Sequence, residues 1–138
     1  MADAPKLVIF ACVHNAGRSQ MAAAFFNALA EPAKTRAISA GTEPADAVHP
    51  AVLVVMREAG IDLSSARPQR LTDELARNAS LLVTMGCGEQ CPLVPGLERE
   101  DWPMPDPKGL PPALVEEIRE MVRAKVLKLL RAREWLRT

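Results

Sequence analysis

The residues best suited to chemistry form one short string, Cys12-Val13-His14-Asn15-Ala16-Gly17-Arg18-Ser19, directly after the apolar run Leu7-Val8-Ile9-Phe10-Ala11. A continuous β-branched and aromatic run of this kind reads as a strand buried on both faces, the central strand of a parallel sheet. From Arg18 the period becomes helical, with Met21, Phe25 and Leu29 on one side, until Pro32. A loop that leaves the carboxyl end of such a strand and enters a helix turns successive backbone N–H groups toward one point and adds the helix dipole. Val13, His14, Asn15, Ala16, Gly17 and Arg18 are therefore expected to bind a tetrahedral oxyanion, Gly17 by allowing close backbone approach and Arg18 by two parallel charge-assisted hydrogen bonds. The same field favours the thiolate of Cys12, since thiols at helix N-termini beside a guanidinium have pKa values of roughly 3.5–7.5. Cys12 becomes a nucleophile aimed at the bound anion. Ser19 could donate to its sulfur and Asn15 could brace the loop, while His14 reads as a loop residue, because an ionised thiol needs no base. The plainer alternative, a buried core thiol and a surface arginine, does not explain why string, strand and helix agree.

The elements around this loop alternate between strand and helix. Thr35 to Ala40 is a second strand closed by Gly41, and His49-Pro50 opens a helix whose inner face is Val52, Val55, Met56 and Ala59, ended by Gly60. Thr72 can cap a short helix over Asp73 to Asn78, and Leu81 to Met85 is a third strand. Asp101 and Trp102 read as the end of a fourth, and Pro111-Pro112 start a long helix with Val115, Ile118, Val122, Val126 and Leu129 inward. The expectation is an α/β three-layer sandwich, a four-stranded parallel sheet of order 2-1-3-4 with helices on both faces. With 138 residues it should be one domain, residues 1–138.

Composition narrows the partners. Seventeen Lys+Arg balance 17 Asp+Glu, and aromatic content is 4% without any Tyr, so neither a polyanion-binding surface nor a base-stacking platform is indicated, and no nucleic acid is expected. The longest apolar run, Leu7 to Val13, is far short of the roughly 18 residues of a membrane helix, and no signal-cleavage pattern follows it. A cytoplasmic protein without a membrane partner is expected. Three cysteines in such a chain argue against a static disulfide framework and leave reactive, redox or metal-binding thiols.

Cys87 and Cys91 follow the third strand, at the sheet end that faces the same crevice as Cys12. Three readings stand for them. Two cysteines and a histidine could hold zinc, although His14 and His49 form no paired-ligand motif. Both thiols could be inert and buried. Or one could attack the Cys12 sulfur and the other that disulfide in turn, each step needing only access between sulfurs. Asp106, in the Pro-rich stretch Trp102-Pro103-Met104-Pro105-Asp106-Pro107, sits in a stiff, non-helical loop and could protonate a leaving oxygen; otherwise it is a turn-forming Asp before Pro. Glu89, Glu98 and Glu100 read as solvated charge.

The string Cys12 to Ala22, Ser39-Ala40-Gly41-Thr42, Val83-Thr84-Met85-Gly86-Cys87, and Asp101-Trp102 with Asp106-Pro107 together resemble the low-molecular-weight protein tyrosine phosphatase superfamily, and within it the bacterial arsenate reductases. The likeness runs the whole length. It implies that Cys12 attacks arsenate, that Cys87 displaces arsenite and forms a Cys12–Cys87 disulfide, and that Cys91 exchanges to leave Cys87–Cys91. No bound cofactor and no metal are implied. An external thiol reductant is, either thioredoxin or a low-molecular-weight thiol such as mycothiol acting with a mycoredoxin-like partner, and a monomer is expected. Only Gly88, Glu89 and Gln90 separate Cys87 from Cys91, an interval shorter than in thioredoxin-coupled members and similar to that of mycothiol-coupled ones.

Two alternatives use the same loop. A tyrosine phosphatase would cleave aryl phosphates through a phosphocysteine on Cys12, with Arg18 and Asp106 in the same roles; His14, Met104 and Trp102 would then have to wall the ring slot. A non-catalytic oxyanion or metalloid binder would show affinity without turnover. Alkylation of Cys12 as a function of pH checks the activated thiol that both enzymes share: the midpoint should fall well below the value of about 8.5 of an ordinary cysteine.

Overall fold

The computed structural model describes residues 4–86 and 95–138. Cys87, Glu89 and Cys91 lie outside the described residues. Four strands, β1 (Lys6–Cys12), β2 (Thr35–Gly41), β3 (Leu81–Thr84) and β4 (Glu98–Asp101), form one parallel sheet of order β2-β1-β3-β4. Among the described residues four helices accompany it: α1 (Arg18–Leu29), α2 (Pro50–Glu58), α3 (Asp73–Arg77) and α4 (Pro112–Ala132). The expected strand order and alternation hold.

The period of two along β1 divides the core. Val8, Phe10 and Cys12 point to the face packed by α1, α2 and α4, where Phe10 meets Phe26 edge-on at 5.7 Å and Trp102 at 5.5 Å. Leu7, Ile9 and Ala11 point to the other face, which is closed by Leu71, Leu75 and Ala79 around the one-turn α3. Both faces are covered, but three of the four helices share one of them. Cys12 inherits its direction from this alternation: it belongs to the α1 face, and so it points at the helix that follows it.

The sheet edges are managed differently. On the β2 edge, Asn27 of α1 donates to the Ala37 carbonyl at 2.9 Å and accepts its N–H at 2.8 Å, which satisfies edge backbone groups that would otherwise invite another strand. On the β4 edge, the sequence Glu-Arg-Glu-Asp is charged throughout. Glu98 and Glu100, expected to be simply solvated, are ion-paired with Arg133 after α4, and Glu100 also accepts from the Trp102 indole at 3.1 Å. The charges were legible; their partner comes from 33 or more residues away. No helix among the described residues is long and apolar enough to cross a membrane.

The α1 N-terminus is where β1, the end of β2 and the acid-bearing loop after β4 converge. Thr72 caps α3 as its type suggests, accepting the Leu75 N–H at 3.2 Å. α1 has no such side-chain cap: Gly17 precedes it, leaving its first N–H groups for something else.

Candidate active site

Cys12 is 2% exposed at the end of β1. The turn beyond it is held from outside by the chain that follows β2. The Thr42 N–H donates to the Cys12 carbonyl (3.3 Å), Glu43 to Val13 (2.8 Å), Ala45 to His14 (2.9 Å) and His49 to Ala16 (2.9 Å). With these carbonyls drawn outward, the N–H groups of the loop are left for its concave side, which is the arrangement of an anion nest.

Asn15 makes the bend possible. It is fully buried and stands at φ 51, in the left-handed region where Asn is among the few tolerated side chains. Its Oδ1 accepts the Gln69 N–H (2.9 Å) and the Gln20 side chain (3.3 Å), which fixes the amide orientation. Its Nδ2 then donates to Ser19 Oγ at 2.7 Å. Because that hydroxyl is already accepting, its own proton is free to point at Cys12 Sγ, 2.8 Å away. A hydrogen bond of this sense favours negative charge on the sulfur. The sequence suggested the Ser19–Cys12 contact and Asn15 bracing the loop through backbone groups; it did not show the Asn15–Ser19 bond, or Gln20 and Gln69, whose roles depend on segments brought together only by the fold.

Arg18 is 7% exposed, and its guanidinium is oriented before any substrate arrives. Nη1 donates to the Met104 carbonyl at 3.1 Å, and Nη2 lies 3.9 Å from Asp106 Oδ2. Gly86, at the end of the third strand, makes room for it: its φ is +90, and a Cβ there would come within 2.3 Å of Arg18 Nη1. Asp106 Oδ1 accepts the Lys108 N–H at 3.0 Å, closing a short turn and leaving Oδ2 toward the arginine. The acid is half-exposed, whereas its neighbour Pro107 is buried. Pro107 rests on Gly17, where a Cβ would approach its Cγ to 2.7 Å. Gly17 therefore serves as the seat of the loop that carries Asp106.

Other expected participants separate. The His14 ring donates through Nδ1 to the Glu43 carbonyl at 3.1 Å, a loop-bracing contact in keeping with its reading. Met104 is buried and gives its carbonyl to Arg18. Trp102, offered as a possible wall for an aryl slot, is 4% exposed and packs on Phe10, so it belongs to the core. The sequence reading missed His49 as a site residue. It caps α2 by position only, with no side-chain cap bond, and its ring lies 3.6 Å from the Cβ position of Gly17. Burial pushes this imidazole below its ordinary value; Asp106 opposes that, while Lys108, His14 and Arg18 add to it. The unfolded chain thus holds more protons at this residue, so its contribution to stability falls as pH drops below about 6.5.

An α/β domain that presents a buried thiol, an arginine and a half-exposed carboxyl around an anion nest at the head of a helix is built for nucleophilic attack on a tetrahedral oxyanion. Residues 7–136 match the family of the low molecular weight phosphotyrosine protein phosphatase, and the chain belongs to that family. Among its relatives, a Halobacterium salinarum protein provisionally named an arsenate reductase is 35% identical over 132 residues, 93% of each chain. The glutaredoxin arsenate reductase of a Synechocystis species is 32% identical over 128 residues, covering 91% of this chain and 96% of that protein. The solved thioredoxin-dependent arsenate reductase of Corynebacterium glutamicum is similar at 37% identity and a TM-score of 0.81; the likeness covers 96% of this chain and 63% of that longer one.

Gly86→Ala isolates the arginine's role. It adds left-handed strain of about 1–2 kcal/mol and displaces the guanidinium. Thermal melting should show a modest drop, while sulfate affinity by calorimetry should fall by about tenfold or more, as expected when a charge-assisted pair is lost.

Proposed function

We propose that the chain, as a single catalytic domain over residues 1–138, reduces arsenate to arsenite with its own thiols. The observation that carries this choice over aryl phosphate cleavage is the placement of its five aromatic residues. Phe10, Phe25, Phe26 and Trp102 are no more than 4% exposed, and Trp135 packs on Phe26 near the end of the chain. No Phe or Trp ring is left to line a slot for a phosphotyrosine side chain, and the chain has no Tyr. Arsenate needs none, because every contact it requires is to oxygen. The relatives named arsenate reductases, alike along nearly the whole chain, support the same reading.

In the proposed reaction the Cys12 sulfur attacks arsenic while the nest N–H groups and Arg18 hold the equatorial oxygens. An As–O bond breaks as an S–As bond forms, and Asp106 Oδ2 supplies the proton that lets the oxygen leave as water. Cys87 then attacks the Cys12 sulfur. The S–As electron pair stays with arsenic, which leaves as arsenite, and the two sulfurs are oxidised to a disulfide. Cys91 attacks Cys87, releasing Cys12 for the next turnover, and an external thiol returns the two electrons to Cys87–Cys91. Ser19 and Asn15 stabilise the Cys12 sulfur both as nucleophile and as leaving group. The donor is thioredoxin or a low-molecular-weight thiol with a mycoredoxin-like partner, the protein acts as a monomer, and the reducing cytoplasm is its compartment. No resident cofactor or metal is part of the scheme.

The runner-up is phosphatase action by the same Cys12, Arg18 and Asp106, which the family as a whole supports. Mass mapping after a single turnover tests the relay: Cys91→Ser should release one equivalent of arsenite and stall with a Cys12–Cys87 bond. Sustained turnover by that variant would move the chemistry to an external thiol. Replacing Asp106 by Asn should lower turnover by roughly 10² to 10⁴ and leave phosphate affinity nearly unchanged, because a proton given in the transition state contributes little to ground-state binding.

A further inference from the structure

His49 stands at the mouth of the loop without an assigned task. Its backbone N–H is bonded to the Ala16 carbonyl at 2.9 Å, so the residue is fastened to the nest itself. Its ring borders Gly17 at the point where Pro107 is seated, between the anion loop and the acid loop. No hydrogen bond fixes either ring nitrogen among the described residues, although the ring is half-buried. The charged and titratable groups that face it are Asp106 and Lys108 from the acid loop, and His14 and Arg18 from the nest. Nothing in α2 adds to them: the helix begins Pro-Ala-Val-Leu-Val-Val.

We propose that His49 links protonation to oxyanion binding: when a dianion enters the Cys12–Arg18 nest, the His49 imidazole takes a proton from solvent and becomes the imidazolium beside it. The inference rests on the anion-binding reading of the loop. With the nest empty, partial burial of the ring is what most opposes protonation, Lys108, His14 and Arg18 add to that, and Asp106, the strongest of the neighbouring groups, favours the proton. A dianion over the nest brings twice the charge of Arg18 and of opposite sign. The dianion adds its negative charge to that of Asp106 at the imidazole, and the added attraction for the proton offsets the burial that opposed it.

The consequence for catalysis is a proton carried in with the substrate. Conversion of the hydrogen arsenate dianion and two thiols to arsenous acid, a disulfide and water takes up two protons. A protonated His49 places one of them next to Asp106, the group that hands protons to the departing oxygen. His49 is thus a positioning and proton-supplying neighbour of the acid; it breaks no bond to arsenic itself.

Sulfate is the clean probe, because it stays a dianion throughout the neutral range and any proton taken up must reside on the protein. The ring Cε1–H resonance of His49 in the reduced protein, assigned by comparison with His14→Gln, is titrated with pH in the absence and presence of saturating sulfate. Saturation should raise the His49 midpoint by about one pH unit or more; by linkage, sulfate affinity should then fall about tenfold as pH is raised through that interval. His49→Gln keeps a polar side chain at a position that makes no side-chain cap bond, and should remove the His49-linked part of that fall. Tight sulfate binding with an unmoved His49 midpoint overturns the proposal and leaves the anion site standing. Failure to bind sulfate at all overturns both.

Discussion

Everything at this site depends on a buried turn that places the backbone of Asn15 in the left-handed region between a parallel strand and a helix. That turn is braced through the Asn15 amide, which is satisfied on both sides, by the Gln69 backbone and by Ser19. The amide also sets direction. With its oxygen committed to Gln69, its nitrogen must donate to Ser19, and the Ser19 proton is thereby turned to the Cys12 sulfur. Backbone shape and nucleophile activation are one constraint met by one side chain. An Asp in its place would offer Ser19 an acceptor instead of a donor and bring negative charge beside the thiol.

Space and charge around the anion are divided among glycines and one arginine. Gly17 and Gly86 leave room for Pro107 and Arg18 respectively, so the acid and the cation approach the same point from different strands of the sheet. Arg18 is tethered to the Met104 carbonyl and lies near the Asp106 carboxylate. The charged groups are thus oriented by their protein neighbours without a ligand. The same economy explains the missing aryl slot. The aromatic side chains are spent on the α1 face of the sheet, joining Phe10 to Phe26 and Trp102, and the mouth of the nest is left to His49, Pro107 and Lys108.

Much of this could be read from local sequence. The apolar run Leu7 to Ala11, the helical period after Arg18 and the proline content around Asp106 each describe a stretch whose conformation its own residues decide. The string from Cys12 to Ser19 announced both the tight turn from strand to helix and the sulfur's hydrogen bond. What stayed hidden depends on distance along the chain. Glu98 and Glu100 looked solvated because Arg133 is remote; Trp102 looked available because nothing nearby in sequence shows Phe10 beneath it; His49-Pro50 read as a helix start, which it is, while its ring's contact with Gly17 is tertiary. Gln20 and Gln69 carry no signal at all in isolation. Cys87 and Cys91 lie outside the described residues, and their roles rest on their place after β3 and on resemblance.

The central claim is that one nest serves a thiol relay and not simple ester cleavage, and replacement of Cys87 by Ser separates the two most directly. Arsenate turnover and hydrolysis of a small aryl phosphate are measured side by side on that variant with a complete reductant supply. The relay predicts that sustained arsenate reduction is lost while any aryl phosphate hydrolysis carried by Cys12, Arg18 and Asp106 is unchanged. Arsenate turnover that persists at the parent rate, or a loss of both activities together in a folded protein, would contradict it.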